Sequence, residues 1–453
     1  VPSGSSSFTG KGTSTAMNHQ RHATGVSSEQ PGEGRARPRW RAAGLAGAAG
    51  LALTAAVATG ITIPGVDVVG RASADDQLGR PKGTPVRCDT GRLIAEITRA
   101  NAQGGAVLDL AAGCTYLLTA DLDGAGLPAI TTPITLNGGR NTTLKRSAAA
   151  DEFRILSVEA NGRLTLNHLT VTGGRISGDT DGGGILINPG GGATIKNSKI
   201  VENVSSEGDA GGIGNFGALH IEHSVVSRNT AANIGGAIFS IGAISINKSR
   251  FEANTALTGG ALTVSGQLTV TRSELVGHQA AEGGAIFILG GTTTGTIADT
   301  RFAENTTTGF GGSAIAGGPL QLTVSRVTVA NNTATGGGQG AIFLQGGAAL
   351  VEDSVIKNNV GVDGGGVHNL GTLTLLRTKV TGNQATESGG GIFNGASGSL
   401  TLLRAKVTEN VAGVDGGGIF NEVGGTVDLS TATGTTVAKN RPDNCVNVPD
   451  CSG

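Results

Sequence analysis

"VDGGGVHNLGTLTLLRTKVTGN" (362–383), "ESGGGIFNGASGSLTLLRAKVTEN" (387–410) and "VDGGGIFNEVGGTVDLS" (414–430) are three versions of one phrase. Each sets glycines ahead of a single aliphatic residue and then alternates apolar with other residues. Working outward from this stretch, Gly-Gly-small-aliphatic recurs ten times, at intervals of 24 to 29 residues; its last member is Ile185, Ile213, Ile238, Leu262, Ile286, Ile315, Ile342, Val367, Ile392 and Ile419. Alternation over a few positions, bounded by Gly and Asn, marks short strands with one buried face and is the wrong period for a helix. About three such strands fit in each repeat. The arrangement that buries every apolar face is a coil whose strands each pair with their counterpart one turn on, an all-β parallel β-helix.

A second column holds Asn203, Asn229, Asn254, Asn305, Asn332, Asn359, Asn383, Asn410 and Asn440, with His278 where one Asn is expected. Asn tolerates left-handed backbone, and stacked amides bond from one layer to the next, so the column reads as a turn ladder rather than a ligand site. The glycines let the backbone bend into each strand. Ahead of the repeats, "CDTGRLIAEITRANAQGG" (88–105) is an amphipathic helix with Leu93, Ile94, Ile97 and Ala100 on one face. Laid over the first apolar layer of a solenoid, such a helix is a cap. The coils, about twelve of them, then occupy 106–440, and 441–453 is a C-terminal tail.

The chain has 79 glycines in 453 residues, more than twice the ordinary share of about 7%, without the three-residue period of collagen. Its net charge of −1 sets up no field for a polyanion, which argues against a nucleic-acid partner. The dense basic stretch "GRARPRWR" leads into the apolar "AAGLAGAAGLALTAAVATGITI" and the small triplet Ala72, Ser73, Ala74. These are the three parts of an export signal. Residues 1–74 therefore read as a leader and 75–87 as a linker, and the mature chain as secreted, or held at the cell wall, without a transmembrane domain. Translation is expected to start at Met17 or at a non-ATG codon. Cys88, Cys114, Cys445 and Cys451 lie at the two ends of the mature chain. An even count in an exported protein points to disulfides, paired by position as Cys88 with Cys114 and Cys445 with Cys451. Staples at both ends oppose end-to-end stacking, which predicts a monomer.

"GGAIFS" with "RFEAN", and "GGAIFI" with "RFAEN", resemble the repeat of the polymorphic outer-membrane-protein family. "CDTGRLIAEITRAN" is similar to the cysteine-led capping segment of secreted right-handed β-helix proteins of Gram-positive, often actinobacterial, origin. The resemblance covers about residues 88–451. It implies a right-handed, single-stranded, pectin-lyase-like solenoid with a short N-terminal capping helix, and an adhesin-like role.

That fold also hosts polysaccharide lyases and galacturonases, so catalysis must be argued from residues. The Asn-Thr-Asp and Gly-His-Gly motifs that such hydrolases share are absent. Asp181, Asp209, Glu282, Asp363, Glu387 and Asp415 precede the glycines and fall along one edge of the stack, with Glu207 nearby. On adjacent rungs they are candidates for holding Ca²⁺ or a saccharide; as an exposed acidic turn they simply keep the chain soluble. His220, His223 and His368 have no partner visible in the spacing. No catalytic, cofactor or metal residue is assigned.

Directly after the aliphatic column come Phe239, Phe287, Phe343, Phe393 and Phe420. Strict alternation turns them outward, as a contact strip for sugar rings or another protein; a bend in the strand would turn them into the core. The expected function is non-catalytic binding or adhesion to carbohydrate or a surface protein. The alternative is an extracellular lyase or hydrolase acting on acidic polysaccharide, against which the short insertions between rungs count.

Overall fold

In the computed structural model, described over residues 83–178, 181–290 and 293–451, the chain winds into a right-handed parallel β-helix of about 13 turns. The leader read at 1–74 and the first part of the linker lie outside the described residues. Three parallel sheets of 24, 13 and 10 strands run along the coil. A typical turn contributes Ile238–Ser240 and Ala243–Asn247 to the first sheet, Arg250–Glu252 to the second and Thr255–Thr258 to the third. The aliphatic column is continuous in register from Ile185 through Ile238 and Ile315 to Ile419, and every member is buried. Cys445 is the next partner of Ile419, so the tail supplies one more short strand, Cys445–Val446.

The Asn column forms the expected ladder, with a different division of labour. In Asn229–Asn254, as in Asn332–Asn359, the Oδ1 of the later residue accepts both the backbone N–H and the side-chain N–H of the earlier one, at 2.9–3.0 Å. The left-handed backbone falls on the preceding residue instead: Glu202, Arg228, Ala253, Glu304, Asn331, Asn358, Glu409 and Lys439 all have positive φ. One such residue turns the chain a sharp corner and swings the next side chain inward. The cost of roughly 1–2 kcal/mol for a non-glycine residue there is offset by the bonds the ladder then makes. The corner before the second sheet is built the same way, with Ser198, Ser224, Ser249 and Ser273 accepting backbone N–H groups from one rung to the next.

The helix α1 (Thr90–Ala102) starts on Asp89, whose carboxylate accepts the Arg92 N–H at 2.7 Å, and buries Leu93, Ile97 and Ala100 over the first coil. Ile94 is only partly buried, and Glu96 takes a place on the buried face, paired with Arg92 and Arg99. Thr84–Val86, within the stretch read as a linker, is a strand paired with Leu108–Leu110, because Val86 extends the apolar stack beyond the first full coil. Cys88–Cys114 and Cys445–Cys451 are disulfides, paired as expected.

Candidate functional site

With the aliphatic residue of each repeat pointing inward, its successor points out. Register aligns Phe239, Thr263, Phe287, Ala316, Phe343, His368, Phe393 and Phe420 in one outward column of the 24-stranded sheet. The rings of its last four members touch in sequence. Phe343 meets His368 edge-on at 5.3 Å between centroids, His368 lies on Phe393 at 4.6 Å, and Phe393 on Phe420 at 5.2 Å. Phe216 and Phe310 extend the system by packing edge-on against Phe239 and Phe343. The column is outward but not bare: Phe343 is only 3% exposed, and the other four phenylalanines are half-buried. The glycine turn ahead of each strand folds back over its outer face. A Cβ on Gly283 would lie 2.8 Å from the Phe287 ring, and one on Gly416 would lie 2.7 Å from the Phe420 Cβ. Both glycines also have φ near +60°, so this close cover is open to no larger residue.

Beside the rings, on the longer strands of the same sheet, runs a column of hydroxyls: Thr135, Thr165, Thr194, His220, Ser245, Thr269, Thr296 and Thr323, then Thr374 and Thr401 beyond Leu350. The inward serines of the corner each bond a backbone carbonyl two residues back, as Ser224 does to Glu222 at 2.8 Å. None of the Thr and Ser hydroxyls in the outward column bonds another described residue. Sequence reasoning passed over this column, although its signal is plain in the second Thr of "TLTL" and the Thr of "SLTL" and "RLTL". A model of the right-handed β-helix region matches residues 131–385 and 263–441. The chain belongs to the right-handed β-helix family. Searches of curated proteins and of solved structures give no match.

Membership in the right-handed β-helix family accounts for the coil and leaves the outer chemistry to be read residue by residue. Asp181 and Asp209 occupy equivalent places on neighbouring rungs, joined by the Gly182 N–H to the Asp209 carbonyl at 3.2 Å, with Arg154 beside Asp181. Three of the other turn acids accept from a backbone N–H or a hydroxyl of the neighbouring rung. Glu207 accepts the Gly178 N–H at 2.9 Å, Asp363 the Ser388 N–H at 3.1 Å, and Glu282 the Thr258 hydroxyl at 3.3 Å. Ser388 stands between Asp363 and Asp415 in the turn register, so these two carboxylates do not adjoin. Burial, and then the nearby charges of Glu387 and Glu422, push the Asp363 carboxyl up. Among the described residues no group of three or more His, Cys, Asp or Glu side chains is placed to hold a metal ion. A third motif of such hydrolases, Arg-x-Lys, expected to be absent with the other two, does occur, at Arg377–Lys379 and Arg404–Lys406; Arg377 there is paired with Asp353 at 2.6 Å.

The histidines divide. His220 and His223 both flank Glu222, at 3.8 and 3.7 Å. His368 belongs to the ring stack, a role that "VHN" in place of "IFN" signals, and burial takes it down to about 4.

Proposed function

We propose that this right-handed β-helix protein works outside the cell as a non-catalytic binding or adhesion module, laying an extended carbohydrate or a protein surface along the outer face of its largest sheet. The observation that carries this reading is the pairing, on one rigid face, of a ring column with a column of unengaged hydroxyls. Partly exposed rings suit the C–H faces of sugars, and hydroxyls suit their polar edges. The two disulfides fit an oxidising compartment, the first 74 residues read as an export leader, and among the described residues no helix is long and apolar enough to cross a membrane. The likeness of the repeats to those of polymorphic outer-membrane proteins supports a surface role. The alternative of acidic-polysaccharide cleavage draws on Asp181 and Asp209 standing on neighbouring rungs, with Arg154 beside Asp181.

A panel of polysaccharides, assayed both for retention and for new reducing or unsaturated ends, tests the proposal. Retention without new ends is the expected result. New ends that vanish in Asp181→Ala or Asp209→Ala would replace binding with catalysis.

A further inference from the structure

The hydroxyl column borders a groove. Two residues ahead of it on the same strands, the adjoining outward column runs Arg163, Gly192, Ala218, Ala243 and Gln267. Ala218 and Ala243 floor a trough of about 360 Å³ that runs from Arg163, whose side chain lies across Gly192, to Gln267, with Thr165, Thr194, His220, Ser245 and Thr269 along one side. Adjacent rungs of a sheet stand about 4.8 Å apart, so the trough spans roughly 19 Å parallel to the coil axis.

Four features define its occupant. The polar groups recur once per rung along a single line, which suits a linear polymer rather than a plane or a compact molecule. They are mostly threonines, whose branched Cβ restricts χ1, so the hydroxyls are held in place before anything binds. No carboxylate or lysine lines the trough. The one guanidinium, that of Arg163, already donates to the carbonyls of Gly162 and Gly190 at 2.8 Å each.

We propose that this trough binds a neutral, extended β-linked glycan lying parallel to the coil axis, with about one sugar per rung. The inference rests on the carbohydrate-binding reading above and narrows it to an uncharged chain and a named site. Sugar hydroxyls exchange hydrogen bonds with the threonines, and the pyranose rings lie over Ala218 and Ala243, which are exposed, while the Arg163 side chain already lies across Gly192.

The test is calorimetric titration of the full secreted chain with cello-oligosaccharides of increasing length. Affinity is expected to climb up to roughly five sugars, the length of the trough at one per rung, and then to level off. It should hold steady as salt is raised, because no charge pair is involved. Thr194→Val with Thr269→Val keeps the shape and removes two hydroxyls; the double variant should lose about tenfold in affinity. Ala218→Trp fills the trough and should abolish binding. Thermal unfolding of each variant should stay close to the parent, since all three sites are on the surface. Cello-oligosaccharide binding that both variants leave intact would place the chain elsewhere and overturn the inference while sparing the binding reading. Retention of acidic but not neutral polysaccharides would also overturn it. Failure of every carbohydrate in the panel would instead remove the reading beneath it.

Discussion

His278 and His368 each replace the usual residue of a repeating column, one in the inward Asn ladder and the other in the outward ring stack, and the two columns make different demands. In the ladder each residue must be acceptor and donor at once. His278 accepts the Asn254 N–H on Nδ1 at 3.1 Å, and its backbone N–H reaches Asn305 Oδ1 at 3.0 Å, but among the described residues its Nε2 closes no hydrogen bond of ordinary geometry, the ring reaching the Phe251 backbone only loosely. In the stack the demand is for a flat ring of suitable thickness, which an imidazole meets between Phe343 and Phe393 even with its Nδ1 unbonded. An imperfect substitute in the ladder therefore leaves a polar defect, whereas in the stack it changes little. Burial depresses both imidazoles, His278 to about 3 and His368 to about 4.

Acid gives the largest effect that bears on this contrast. The unfolded chain takes up protons at these histidines near pH 6.5 and the folded one only near 3 and 4. Their contribution is thus fully present above about pH 6.5 and lost progressively as pH falls, levelling off once the folded values are passed. The full loss is at most about 5 kcal/mol for His278 and about 3 kcal/mol for His368. Urea midpoints measured from pH 7 to pH 4 should fall less steeply in His278→Asn and in His368→Phe than in the parent. Parallel curves for all three would mean that neither histidine is buried as described.

Next in size is removal of a neighbour from each column. Asn305→Ala strips the acceptor from the His278 N–H and the donors to Leu275 and Asn332; unmet buried groups cost about 1–3 kcal/mol each, so a loss of about 2–4 kcal/mol is expected. Phe393→Ala removes a half-buried ring and its stacking, for about 1–3 kcal/mol. Equal losses in urea denaturation at pH 7 would erase the distinction between the columns. Smaller still, His278→Asn should raise stability by about 1 kcal/mol by completing the ladder. His368→Phe, which only makes the stack uniform, should stay within about 0.5 kcal/mol of the parent at pH 7.

The same contrast explains what the sequence disclosed. The Ile and Asn columns face a shared interior, where every rung must solve one packing problem, so their periodicity shows without a structure. The positive-φ corner escapes such a reading because the residue there points away from the ladder and varies freely among Glu, Arg, Ala, Asn and Lys. The outward direction of the phenylalanines was one of the two readings that the sequence left open, the one that simple alternation gives. Their partial cover did not, because it depends on the path of the glycine turn over Phe287 and Phe420. The threonine column was in plain view, but β-branched residues are ordinary in strands, and only the lack of bonding partners sets these apart.

Stacking by neighbours alone also gives the coil a mechanical character. Pulled from its C-terminus, the chain would come away rung by rung, each released repeat of 24 to 29 residues lengthening it by roughly 8–10 nm. The 26-residue separation closed by Cys88–Cys114 would resist that extension at the far end. A tether built in this way yields to tension in nearly equal steps and keeps its last loop shut.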